Sequence, residues 1–157
     1  MLKDEHRLDQ KQRMHEIVES FREVKRAFYQ LLSKQAEPFG ITGIQFMTLK
    51  RIHHHPQIGV TELAEQMRMG NSTVSGVIDR LVKAGLVERG RVDSDRRSVF
   101  LQITDKGMEV YRKTDLEYTR AFSAVLEAAG EDIDQMLQTH RKIIASLEKV
   151  REETYEQ

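Results

Sequence analysis

The sequence predicts a mainly α protein with a small β-ribbon, and three observations carry that prediction. Apolar residues recur at helical spacing along most of the 157-residue chain. Two short runs near 86–92 and 98–103 carry strand-like patterning instead, with Val99, Leu101 and Ile103 alternating against Ser98, Phe100 and Gln102. Between the runs stands a polar hairpin tip, Asp93-Ser94-Asp95-Arg96-Arg97. The length suits one domain with a real core. Within it, a lobe over 41–107 lies between long helices over 12–38 and 108–154.

Taken in order, the first helix runs from about Gln12 to Ala36 and carries Met14, Ile17, Val18, Phe21, Val24, Phe28, Leu31 and Leu32 on a sustained stripe. Pro38 and Gly40 stop it. A stripe this long exceeds what a small core covers, so part of it is expected to meet another subunit; the alternative is a helix packed only on its own domain. Thr42 and Gln45 form a capping box for the next helix, with Ile41 and Phe46 in staple positions, and Pro56 ends it after His53-His54-His55. Histidines one apart on a helix point 100° apart and cannot all face one ion, and the carbonyl end of a helix favours them electrostatically, so no metal site is expected there.

Thr61 is expected to cap a short helix whose inner face is Leu63, Ala64 and Met67. The turn Arg68-Met69-Gly70 then leads into Asn71–Lys83, with Asn71 or Ser72 as its cap. In that second helix Val74, Ile78 and Leu81 fall at i, i+4 and i+7 and face inward. The opposite side carries Ser72, Gly76, Asp79 and Lys83, flanked by Ser75 and Arg80. Lys83-Ala84-Gly85 ends the helix, a basic residue near its carbonyl end and a glycine free to turn left-handed. After the ribbon, Thr104 caps a long helix with Met108, Tyr111, Phe122, Val125 and Leu126, which stops near Gly130. Glu131 and Asp132 open the last helix, with Ile133, Met136, Leu137, Ile144, Leu147 and Val150.

Helix-turn-helix followed by a two-stranded ribbon describes a winged helix, a shape that places a helix in the major groove of DNA. The charge distribution agrees. The net charge is zero, yet residues 68–97 hold seven basic and four acidic side chains, a local excess of three. Ser72, Thr73 and Ser75 offer donors and acceptors to base edges and phosphates. Gly76 has no side chain to hold the helix off, and Arg80 and Lys83 suit phosphate or guanine. Asp79 is expected to pair with a nearby arginine or to accept from a cytosine amino group. Arg96 and Arg97 at the ribbon tip suit a phosphate backbone or a narrow minor groove.

Composition excludes other classes. With no cysteine, disulfides, thiol redox sensing and cysteine nucleophiles are ruled out. The low aromatic content offers no base-stacking platform for single strands. No G-x-S-x-G, H-E-x-x-H or phosphate-cradling loop is present, so an enzyme is not expected. A winged helix used only for protein contacts would not need Lys83, Arg96 and Arg97. No apolar run reaches spanning length and the first residues are charged, so a cytoplasmic protein without membrane contact is expected.

The residues Gly59–Ala64, Ser72-Thr73-Val74-Ser75, Ile78-Asp79-Arg80-Leu81, Gly85–Arg89 and Asp95–Gly107 resemble the MarR family of bacterial transcription regulators over roughly residues 12–150. Ile103 departs from the leucine usual there, an apolar exchange. The resemblance implies a winged helix-turn-helix repressor, a homodimer built on the terminal helices, acting on a palindromic or near-palindromic operator in double-stranded DNA. Asn71, Ser72, Thr73, Ser75, Gly76, Arg80 and Lys83 would serve the recognition helix. At the wing, the resemblance implies that Arg97 enters the minor groove, held by Asp95, while Arg96 reaches phosphate. It implies no cofactor, but a small phenolic or amphipathic effector bound between the lobes and the dimer helices. Tyr29, Phe39, Phe46, Tyr111 and Phe122 are candidates to line such a pocket, core packing being the alternative for most of them.

Overall fold

The computed structural model describes the backbone of residues 2–92 and 95–155 and the side chains of residues 9–91 and 99–153. In chain order the elements are α1 (Leu2–Ala36), a 3-10 turn (Glu37–Phe39), α2 (Gly43–His54), α3 (Val60–Met67), α4 (Asn71–Lys83), β1 (Val87–Val92), β2 (Asp95–Ile103), α5 (Asp105–Ala129), a second 3-10 turn (Gly130–Asp132) and α6 (Ile133–Tyr155). Two compact units result, residues 1–118 and 119–157. No helix among the described residues is long and apolar enough to cross a membrane.

In the first unit, α2 packs against α1, α3, α4 and β2. Phe46, Leu49 and Ile52 from α2 are buried with Leu63 from α3, Val74, Ile78 and Leu81 from α4, and Leu101 from β2. The capping box at Thr42 is present: its N–H donates to Gln45 Oε1 at 2.8 Å and its Oγ1 accepts from the Gln45 N–H at 3.3 Å. Ile41 and Phe46, its staple pair, are both buried. These bonds satisfy two of the amide donors that a helix start leaves over.

Four boundaries differ from the sequence expectation. The first helix begins at Leu2 instead of about Gln12; residues 3–11 are nearly all polar, and local pairs such as Asp9 with Arg13, 3.2 Å apart, support it without an apolar stripe. Thr61 does not cap α3. Gly59 does, in extended conformation, because Ile58 and Gly59 are drawn against β2: Ile58 O accepts from the Leu101 N–H at 3.0 Å, and Gly59 bridges Phe100. The helix therefore starts at Val60, and Thr61 stands exposed in its first turn.

Neither Asn71 nor Ser72 caps α4. Gly70 holds the cap position, its carbonyl accepting from the Val74 N–H at 3.1 Å, with no side-chain cap bond. The ribbon is also longer than its alternation suggested, since β2 begins at Asp95 and pairs antiparallel with β1 from Val87↔Ile103 to Arg91↔Val99, then with a shifted register at Val92↔Asp95. The backbone of Asp95, Arg96 and Arg97 thus belongs to the strand and not to the tip. Polar residues that pair through the backbone leave no hydrophobic alternation to read.

The second unit holds the end of α5, the 3-10 turn and α6. Val125, Leu126, Met136, Leu137, Ile144 and Leu147 are exposed in it, each at least 43% accessible. On α1 of the first unit, Met14, Ile17, Val18, Phe21, Val24 and Phe28 are likewise between 38% and 63% exposed.

Candidate nucleic-acid interface

The geometry of α4 follows from its two faces. Val74, Val77, Ile78 and Leu81 are buried, which fixes the rotation of the helix about its axis. The remaining side is then turned out: Asn71, Ser72, Thr73, Asp79, Arg80 and Lys83 are exposed, and Ser75 and Gly76 partly so. A Cβ added at Gly76 would meet nothing within 4 Å, so nothing inside the protein demands a glycine there.

Asp79 and Arg89 form an ion pair, Oδ1 to Nη2 at 2.6 Å, joining the outer face of α4 to β1. Of the two roles open to Asp79, pairing with an arginine is the one made in the free protein. The ten-residue separation of these helix and strand partners carries no periodic signal, so sequence alone does not single out Arg89 as the partner.

The end of α4 is held by a second device. Gly85 takes φ 71°, as a left-handed turn after the Ala84 cap requires. The exposed carbonyls of this turn are then bonded from the start of α5. Thr104 Oγ1 donates to Gly85 O at 2.7 Å and accepts from the Gly107 N–H at 3.0 Å, and Lys106 Nζ donates to Ala84 O at 2.9 Å. Gly107 lies so close to this turn that a Cβ there would stand 1.9 Å from Leu86 O. The run Thr104-Asp105-Lys106-Gly107 therefore does more than start a helix, as the sequence suggested. It fastens α5 to the carbonyl end of α4.

A further link crosses from α2 to α5. Lys50 Nζ lies 2.9 Å from Asp115 Oδ1, with both side chains about one-third exposed, at 34% and 32%. The ammonium also stands 5.8 Å from the centre of the Phe46 ring and 5.5 Å from that of Tyr118. Phe46 stacks on Tyr111 with centroids 6.1 Å apart. Burial pushes the phenols of Tyr111 and Tyr118 above their ordinary value. Phe46 and Tyr111 are thus core residues, the alternative that sequence left open to an effector pocket, whereas Tyr29 is exposed.

His53 packs its ring on Tyr111 at 4.7 Å and beside His54 at 5.2 Å. Among the described residues no group of three or more histidine or acidic side chains is placed to hold a metal ion. At the wing, Asp93 and Ser94 and the side chains of Asp95, Arg96 and Arg97 lie outside the described residues.

The MarR family profile matches residues 41–99, which span α2 to β2. The chain is 30% identical over 134 residues to an HTH-type transcriptional regulator of Bacillus subtilis, YhbI, covering 83% of this chain and 85% of that one. Its fold is that of the Staphylococcus aureus MepR–DNA complex, with a TM-score of 0.73 at 21% identity over 81% of this chain and 93% of that one. A Staphylococcus aureus MarR protein solved with salicylate and kanamycin gives 0.71 at 23% identity, over 88% and 93% of the two chains. A helix with an exposed polar face and a buried apolar one, an antiparallel β-ribbon that follows it in the chain and this relationship together assign the chain to the MarR family of winged helix-turn-helix, DNA-binding transcriptional regulators.

Proposed function

We propose that this regulator acts as a homodimeric, ligand-responsive repressor on a pseudo-palindromic operator, in the cytoplasm. Asn71, Ser72, Thr73, Ser75, Gly76, Arg80 and Lys83 face the major groove, and Asp95, Arg96 and Arg97 serve the wing in the adjoining minor groove. The observation that carries this reading is the outer face of α4, polar and exposed over its length while the inner face is locked into the core. Asn71 and Ser72 are free of a capping role, and the start of the helix, which has no side-chain cap, leaves its N–H groups available to a phosphate oxygen. Arg97 is assigned to the minor groove on the family pattern Asp95-Arg96-Arg97, whose backbone lies in β2.

Dimerisation is supported by the apolar side chains that α1 and α6 leave in solvent, in two stretches long enough to build a shared scaffold. In this division, 41–107 is the DNA-binding lobe, and 12–38 and 108–154 are the dimerisation helices. A small phenolic or amphipathic inducer agrees with the salicylate-bound relative. With no cysteine in the chain, its signal reaches the DNA-binding lobe without thiol chemistry.

Selection of bound fragments from the source genome, paired with sedimentation analysis of the complex, tests the proposal. The expected result is an inverted repeat bound by two chains. Enrichment of no common sequence, or a complex with one chain, would overturn it.

A further inference from the structure

We infer that Arg68, in the turn between α3 and α4, is a phosphate-backbone contact of the recognition unit, held ready by a backbone conformation that its own side chain disfavours. The inference rests on α4 being the recognition helix. Arg68 caps α3 with φ 52° and ψ 45°, the left-handed region that L-residues with a Cβ avoid and that glycine or asparagine enters readily. Among described non-glycine residues, only Gln57 shares a positive φ.

The conformation is imposed from both sides. The Arg68 N–H donates to Glu65 O and the Met69 N–H to Ala64 O, both at 3.0 Å, while Met69 packs against the core. A glycine would satisfy the same bonds without strain, so the fold gives no reason for arginine. Local strain retained against an easier residue points to what the side chain does.

The charge is uncommitted. Arg68 is exposed, and among the described residues no acid pairs with it, whereas Arg89 is engaged by Asp79 and Arg13 by Asp9. It lies three residues ahead of Asn71, the first residue of α4. In a helix-turn-helix the first helix crosses the sugar-phosphate backbone and the second enters the groove, so the turn joining them passes over phosphates. An arginine there has the planar donor fork that phosphate oxygens take. A contact of this kind adds affinity on every sequence and carries no base preference.

Arg68→Gly separates this role from a structural one, because stability and binding move in opposite directions. The urea midpoint is expected to rise, while operator affinity falls roughly tenfold. The plot of log affinity against log salt becomes shallower by about 0.9 per bound chain. Arg68→Asn, which tolerates the left-handed backbone, gives the same loss of binding, and base preference is unchanged in both. Lys83→Ala is measured in parallel as a control for α4 itself. Wild-type affinity and salt slope in both Arg68 variants, with Lys83→Ala impaired, would overturn the inference alone; wild-type behaviour in all three would overturn the assignment of α4.

Discussion

Replacing Asp79 by Asn distinguishes two jobs for the one acidic side chain on the recognition face. In the free protein its carboxylate is held by Arg89 at 2.6 Å. The two side chains are 63% and 43% exposed, so solvent screens the pair and its loss lowers stability by only about 0.2–1 kcal/mol. The consequence for DNA is larger. Arg89 is left unpaired on the surface that meets phosphates, and a negative charge that repels them is gone. One more cation near the backbone steepens the salt dependence by about 0.9 per bound chain, and over a roughly fourfold rise in salt that amounts to about a 3-fold greater loss of affinity per chain. Fluorescence anisotropy on an operator duplex and on a scrambled duplex, across a salt series, reads both effects. The expected outcome is tighter binding of the scrambled duplex at low salt, a steeper slope and an unaltered order of preference among operator variants. Loss of preference at a single C·G pair, with the slope unmoved, would refute this reasoning and return Asp79 to reading a cytosine amino group.

Other expectations follow from the same geometry. Arg97→Ala weakens operator binding strongly in a mobility-shift assay while leaving dimer mass and melting temperature unchanged; wild-type affinity would remove the wing from the mechanism. Lys83→Ala lowers affinity on all sequences and flattens the salt slope by about one unit per chain. Thr104→Val keeps shape but loses the bonds to Gly85 O and from the Gly107 N–H, costing about 1–2 kcal/mol in urea unfolding. Burial, with Asp115 adding and Lys50 opposing, raises the Tyr111 and Tyr118 phenols above the ordinary 10.0 in the folded state. Their contribution to stability is therefore complete below pH 10 and is lost as pH climbs through the folded values, a decline that Tyr118→Phe reduces in alkaline unfolding curves.

What sequence made legible was whatever rests on short-range pattern. The stripe Val74, Ile78, Leu81 gave the buried face of α4, and with it the exposed face opposite; Thr42, Gln45, Gly85 and Thr104 announced helix ends because caps act over three or four residues. The expectation failed where tertiary contacts override local preference. Thr61 is a good capping residue, but Gly59 is drawn to β2 and begins the helix earlier. Asn71 and Ser72 are better caps than Gly70 by propensity, yet the turn at Arg68 delivers the chain to α4 with Gly70 in the cap position. Long-range pairs were beyond reach for the same reason. Nothing near Asp79 names Arg89, nothing near Lys50 names Asp115, and the tie from Lys106 to Ala84 joins residues 22 apart in sequence.

The central claim is that two copies of α4 and its wing address one face of a single duplex, and hydroxyl-radical footprinting on the selected operator tests it most directly. The account predicts two protected centres on the same side of the helix, about 34–36 Å apart, both lost together when either half-site is scrambled. A single protected block that survives scrambling of its neighbour with undiminished affinity would contradict it.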